Sequence, residues 1–236
     1  MPISSVLLAC NDNTNYLDFW PLVKEAWLKV ANLPCIMIYV GQTLPESLKS
    51  DPAVKFFKAI EGWSTATQAK CIRLLYPALL QDEGMVLISD MNIMPLQSEF
   101  YYNGFNKFNK NCFVIFKGLD EEERPIPTCY YAATPSIWGS VFGIKKEEDI
   151  RTRLQEWHSK NKGSWLEQEQ LDLFTIISLW RKDIPDTVNI TQWTKPMLRL
   201  FNPILTVKKN TYIDFRMPNY NEFSKEIHEI LESIAP

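Results

Sequence analysis

Three short, unbroken apolar runs, each stopped abruptly at polar residues or glycine, constrain the fold of this chain most. Ser5-Val6-Leu7-Leu8-Ala9-Cys10 ends at Asn11-Asp12-Asn13-Thr14-Asn15. Pro34 to Val40 forms the second run, closed by Gly41. Gly84 precedes the third, Met85-Val86-Leu87-Ile88, which stops at Ser89-Asp90. Runs of this length without apolar–polar alternation are the pattern of strands covered on both faces. Between the first two, Tyr16 to Ala31 sets Phe19, Leu22, Val23, Ala26, Trp27 and Val30 at helical spacing, with Pro21 tolerable in a first turn. Strand, helix and strand with short connections imply a parallel pair and a right-handed crossover.

The alternation continues along the chain. Thr65 to Leu80 reads as a helix that Pro77 kinks near its end, and Cys112 to Phe116 as a strand before the acidic loop Asp120-Glu121-Glu122-Glu123. Cys129 to Ala133 reads as a further strand leading into an aromatic helix through Trp138 and Phe142. Helices are expected at Lys146–His158 and Leu166–Arg181, and an amphipathic one at Asn221–Ile234. No repeat, low-complexity tract or linker interrupts 236 residues that are 46% hydrophobic, so one domain over 1–236 is expected. The pattern predicts an α/β layer fold with a mostly parallel central sheet.

A net charge of −3 argues against broad electrostatic binding of nucleic acid or of an anionic membrane. The five cysteines form no C-x-x-C pair and read as reduced thiols. No charged-then-apolar leader and no apolar run near ~20 residues is present in the sequence. The expectation is therefore a cytoplasmic protein (host cytoplasm if viral) with no membrane span and no nucleic-acid partner.

Open parallel sheets bind ligands beyond the carboxyl ends of their strands. Ala9-Cys10-Asn11-Asp12-Asn13 and Ser89-Asp90-Met91-Asn92-Ile93-Met94-Pro95-Leu96 are the two such ends with polar chemistry. A carboxylate at Asp90 can ligate a divalent cation or accept from a ribose hydroxyl, and it can equally be a solvated loop acid. Asn11 and Asp12 fit contacts to a base or ribose, and they are also common turn formers.

Val86 to Leu96 resembles the segment around the D-x-D motif of GT-A glycosyltransferases. The helix Gln68 to Pro77 resembles the one that brings a basic residue to the donor in that fold. Cys129 to Ala133 through Trp138 is similar to the acceptor-side strand and helix. Trp165 with Glu167-Gln168-Glu169-Gln170 resembles the element that carries a carboxylate to the sugar, and Ile213 to Pro218 the closing "v-D-x-H-x-p" element. The ordered set spans nearly the whole chain and is most similar to the small soluble transferases of large algal DNA viruses. It implies the three-layer GT-A fold, with a donor-binding half at about 1–100 and an acceptor-side half at about 101–236. It also implies transfer of a sugar from a UDP- or GDP-linked donor to a glycan or glycoprotein.

Carried over residue by residue, the resemblance places Ala9, Asn11, Asp12, Ser89, Asp90, Met91 and Asn92 at the donor. Lys70, Arg73, Arg199 and Arg216 are assigned to its phosphates. Tyr130, Trp138 and Trp165 fall on the acceptor side, although core packing explains each aromatic taken singly. Glu169, with Glu167 in reserve, is the candidate catalytic carboxylate; its counterpart would be a solvated first-turn acid. Two departures stand out. Asn92 replaces the second acid of D-x-D, and Arg216 replaces the late histidine. A Mn²⁺ or Mg²⁺ ion at Asp90 and Asn92 would therefore have an incomplete cage, and Arg216 could instead neutralise the diphosphate. His158 and His228 lie on charged helices away from these segments. Two rivals remain: a non-catalytic nucleotide-sugar or glycan-binding module, and a sugar-1-phosphate nucleotidyltransferase. The latter normally has a Gly-rich phosphate loop, and Val6 to Asn15 contains no glycine.

Overall fold

The computed structural model describes residues 2–106, 108–117, 129–160, 176, 180, 188–192, 198–199 and 212–234. Its elements begin with β1 (Ile3–Cys10), α1 (Thr14–Leu17), α2 (Trp20–Ala31), β2 (Cys35–Gly41), α3 (Glu46–Lys49), β3 (Val54–Lys58) and α4 (Thr65–Leu75). A 3-10 turn at Tyr76–Leu79 leads to β4 (Met85–Ile88), β5 (Ile93–Pro95), α5 (Ser98–Asn106), β6 (Phe113–Lys117), β7 (Tyr131–Ala133), α6 (Pro135–Phe142) and α7 (Glu147–Lys160). Strands β8 (Val188–Gln192), β9 (Leu198–Arg199) and β10 (Asp214–Arg216) precede the final helix α8 (Tyr220–Ile234).

The expected sheet is present, in the order β3-β2-β1-β4-β7-β6-β8. β1, β2, β3 and β4 are mutually parallel, and β8 is parallel to β6. Only β7 runs against its neighbours, β4 and β6. The sheet is therefore mostly parallel, and the apolar runs are buried on both sides. Val6, Leu8 and Cys10 of β1 pack in one core cluster with Trp27 of α2, Tyr101 of α5 and Ile227 of α8. Leu7 packs in the other with Ile72 of α4, Trp138 of α6 and Leu154 of α7. The period-2 alternation of a strand thus feeds two cores, giving a three-layer sandwich.

Local chemistry accounts for the departures from the expected elements. The helix expected over Tyr16–Ala31 is two: α1, capped by the Asn13 side chain on the Asn15 amide, and α2, with Pro21 in its first turn. Pro77 ends α4 and starts a 3-10 turn rather than kinking a longer helix, because its ring removes an amide donor. β3 reads Val-Lys-Phe-Phe-Lys and was hidden in the sequence because an edge strand needs apolar cover on only one side. α5 was hidden behind its polar and glycine-containing run. The helix expected at Leu166–Arg181 falls almost wholly outside the described residues.

Two positions fix the lower helical layer. Buried Gln68 accepts the Ile60 amide at 2.8 Å and donates to the carbonyls of Ile60 and Trp63, each at 2.9 Å. This clasp ties the loop before α4 to the helix itself. On α6, a Cβ at Gly139 would stand 2.7 Å from the Ile144 carbonyl oxygen, which belongs to the turn that closes the helix at Gly143 (φ 69°). Gly139→Ala is expected to cost about 1–3 kcal/mol by overpacking against backbone. Urea unfolding with an unchanged m-value checks it.

Candidate active site

The strand order reverses around β1: the chain runs outward to β2 and β3, then returns to place β4 on β1's other side. The loops leaving β1 and β4 consequently diverge, and such a switch point is where an open parallel sheet places a ligand crevice. Asn11-Asp12 and Ser89-Asp90 sit there, on strands held in register by Leu7 opposite Ile88. The Ser89 amide donates to the Leu7 carbonyl at 3.2 Å.

Asp90 is the electrostatic centre of this crevice. Arg73, buried on α4, donates through Nη1 to Asp90 Oδ1 and, at 3.1 Å, to the Ser89 carbonyl. Arg216 on β10 donates through Nη2 to Asp90 Oδ2 at 2.8 Å. The Asp90 carboxylate thus gives one oxygen to each of two guanidiniums. Burial alone would push its pKa up, but Arg73 and then Arg216 outweigh burial and hold it below the ordinary carboxylate value. Burial disfavours charged Arg216, yet Asp90, then Cys129 and Asp214, raise its pKa and keep it protonated. The trio carries one net positive charge at neutral pH.

A second, smaller sheet brings Arg216 here. β5 leaves the Asp90 turn and pairs antiparallel with β10, in the register Ile93 opposite Arg216. The Met217 amide donates to the Asn92 carbonyl at 2.8 Å, and Asn92 Nδ2 reaches the Met217 carbonyl at 3.4 Å. β10 is itself pinned from the main sheet: the Tyr130 hydroxyl donates to buried Asp214 at 2.5 Å and lies 3.1 Å from the Tyr101 hydroxyl. Tyr130 adopts φ 64°, a left-handed conformation unusual for a non-glycine residue, while its amide donates to the Ile88 carbonyl at 2.9 Å.

The structure brings Arg73, Ser89, Asp90, Asn92 and Arg216 together. Arg199 is the backbone partner of Arg216 in the β9–β10 ladder. Lys70 is exposed on α4, one turn before Arg73. Asn11 is half-buried and donates through Nδ2 to Thr65 Oγ1 at 3.0 Å and to exposed Asp12 at 3.2 Å, tying the β1 loop to the start of α4. Ala9 packs against the lower core and Met91 lies within the upper one, so both offer a ligand little beyond backbone.

Two residues expected on the acceptor side have buried side chains. Trp138 is fully buried, stacked on Phe142, and its indole N–H donates to the Val86 carbonyl at 3.3 Å. Tyr130 is 1% exposed and serves the Asp214 contact. Both are held inside because their polar tips find protein partners and their rings fill the core. Trp165, Glu167 and Glu169 lie outside the described residues. His158 stacks on Trp63 and His228 bonds the Ser224 carbonyl, so neither serves this crevice. Asp214 and Tyr101 received no role from the sequence; an acid inside the apolar run Ile213–Phe215 was the available signal.

The donor set does not suit a divalent cation. Mn²⁺ or Mg²⁺ takes about six ligands, mostly oxygen, of which the protein usually supplies one or two carboxylates. Both oxygens of Asp90 are already held by arginines, Asn92 supplies only a neutral amide, and Arg216 would face the ion as a like charge. No group of three metal-ligating side chains occurs among the described residues.

No family model matches the sequence, and no curated protein matches it. Among solved structures, the chain is similar to the galactosyltransferase LgtC, whose structure holds donor and acceptor sugar analogues. The TM-score is 0.52 at 12% identity, over 97% of this chain and 95% of LgtC. It is also similar to GlyE of Streptococcus pneumoniae TIGR4 (TM-score 0.48, 13% identity, 81% of this chain), and spans 45% of that protein's length. A glycosyltransferase involved in glycosylating the major capsid of PBCV-1 matches over 98% of this chain and 100% of its own, with TM-score 0.48 and 11% identity. The sheet order, the switch-point crevice and the LgtC likeness define the fold as GT-A. No helix among the described residues is long and apolar enough to cross a membrane.

Because the folded Asp90 titrates below its unfolded value, its stabilisation is complete above the unfolded carboxylate pKa of ~3.9 and is lost as pH falls through the depressed folded value. Asp90→Asn is expected to lower stability at pH 7 and to flatten the acid limb below about pH 4. Thermal melts of both proteins across pH 2.5 to 7 (roughly) check the sign.

Proposed function

We propose that the protein is a glycosyltransferase that moves a sugar from a nucleoside-diphosphate-sugar, UDP- or GDP-linked, to a hydroxyl of a glycan or glycoprotein. The observation that carries this reading is the pair of guanidiniums fixed on Asp90 at the carboxyl end of β4, where the GT-A fold has its crevice. Fixed positive charge beside a strand-end loop suits the two phosphates of such a donor. The Asn11–Asp12 loop on the adjacent strand end suits the base or ribose. One domain over 1–236 serves both halves of the reaction, and the protein is cytoplasmic.

In the transfer, the bond between the anomeric carbon and the leaving phosphate oxygen breaks, and its electron pair stays on that oxygen. The acceptor hydroxyl oxygen forms the new bond to the anomeric carbon and gives up its proton. Glu169, with Glu167 in reserve, is the carboxylate that takes this proton if configuration inverts, or faces the oxocarbenium-like centre if it is retained. Asp90 holds the arginines and takes no proton, since its pKa is depressed.

Titration with a panel of UDP- and GDP-sugars, followed by assays of hydrolysis and transfer, tests the reading. One donor is expected to bind within the range of about 1 μM to 1 mM and to be slowly hydrolysed. Glu169→Gln is expected to lower turnover by about 10²–10⁴ with little change in donor KM. Binding without hydrolysis or transfer would instead identify a nucleotide-sugar-binding module. Absence of binding to every donor would overturn both.

A further inference from the structure

We propose that Arg216, oriented by Asp90, stands where a divalent cation would otherwise be needed, and binds the donor diphosphate directly, so that donor binding is independent of metal. The inference rests on the nucleotide-sugar reading above and specifies how that site handles phosphate charge.

Three observations lead to it. First, each oxygen of the strand-end carboxylate already accepts from a different arginine, so its negative charge is more than matched before any ligand arrives. A cation on a remaining lone pair would share the carboxylate with two guanidiniums and stand beside their positive charge. Second, Arg216 is committed to Asp90 through Nη2 alone among the described residues. Its Nε is buried with no partner among the described residues, and the side chain is 39% exposed. A buried N–H without a partner is costly, and an anion's oxygen would satisfy it. The planar guanidinium presents its remaining donors as a fork that matches two phosphate oxygens. Third, the Ser89 hydroxyl, in a residue fully buried next to Asp90, also has no partner among the described residues. It adds an unpaired polar atom to the same strand end.

Asp90 in this arrangement is a positioning residue. It holds two guanidiniums at a fixed separation and keeps them from repelling each other apart, leaving the trio with one positive charge for the phosphates. Exposed Lys70, one turn before Arg73 on α4, extends the basic surface. When the anomeric carbon–oxygen bond breaks, the electron pair left on the diphosphate meets a charge that is part of the chain.

Calorimetric titration of the full chain with UDP and with GDP, in excess EDTA and separately in MnCl₂, tests the proposal. The tighter nucleotide is expected to bind with Kd values that agree within about twofold in the two buffers. Arg216→Gln, whose fold is checked by circular dichroism, is expected to weaken binding in EDTA by about tenfold or more. Arg216→Lys is expected to fall between, because it keeps the charge and loses the fork. The double variant Asn92→Asp, Arg216→His frees Oδ2 of Asp90, with Arg73 still on Oδ1, and introduces an acid and an imidazole; it is expected to bind nucleotide only with Mn²⁺. Binding by the native chain that is lost in EDTA and returns with Mn²⁺ overturns this inference while leaving the nucleotide-sugar reading intact. Unchanged affinity in Arg216→Gln overturns it as well. Failure of both nucleotides and all their sugars to bind in either buffer removes the reading and the inference together.

Discussion

Everything at the crevice depends on one carboxylate shared between two arginines. Arg73 is buried, and a buried guanidinium is tolerable only when its charge is matched and its donors are used. Asp90 meets the first need, and the Ser89 carbonyl takes one of the donors. The two arms of the trio are not equivalent. The Arg73 arm is enclosed, so breaking it belongs with buried pairs, at about 3–5 kcal/mol. The Arg216 arm is 39% exposed and screened by solvent, so its structural value is smaller. Energetically, then, Arg73 anchors Asp90, and Asp90 in turn positions the more exposed Arg216.

The architecture explains why three remote segments can meet with such definition. The parallel sheet delivers β1 and β4 to one edge and reverses its order there. β5 then turns back from Asp90 and pairs with β10, more than a hundred residues later, so hydrogen-bond register decides where Arg216 stands. The Tyr101–Tyr130–Asp214 contacts hold β10 from the opposite side. Tyr130 pays for this with a left-handed backbone, a strain of about 1–2 kcal/mol. Its aromatic neighbours Trp27 and Tyr101 and its short bond to Asp214 keep that conformation in place.

Much of this was legible in the sequence, for identifiable reasons. Unbroken runs such as Val6–Cys10 and Met85–Ile88, short and bounded by glycine or polar residues, fit covered strands, and the polar residues that stop them mark where a ligand can approach. Arg73, Asp90 and Arg216 were each recognisable singly. Their mutual geometry was not, because Asp90 and Arg216 are joined through a three-residue strand pair whose register no periodicity announces. β7's reversed direction was equally invisible, since three residues of Tyr-Ala-Ala carry no directional signal. The aromatic residues were ambiguous for a related reason. A tryptophan or tyrosine in a short apolar run fits a sugar-binding face or a core, and only the partners of Trp138 Nε1 and the Tyr130 hydroxyl decide between them.

An arginine on a strand-end aspartate is a different device from an ion held by the same residue. A bound dication brings more charge, but its occupancy depends on its concentration and it needs several ligands kept free and deprotonated. A guanidinium contributes a single charge that never dissociates and, at a pKa raised further by Asp90, never titrates in the working range. Its directionality comes from the fork and from the carboxylate that holds one side of it. Such a site gives up peak charge density for permanent occupancy and fixed geometry. Asn92 fits the exchange: once an arginine occupies the second oxygen of Asp90, another carboxylate at that position would cancel the positive charge the trio keeps for the phosphates. The neutral amide instead reaches the Met217 carbonyl and helps hold the strand that carries Arg216. Positions 92 and 216, remote in the sequence, are therefore coupled through one strand pair.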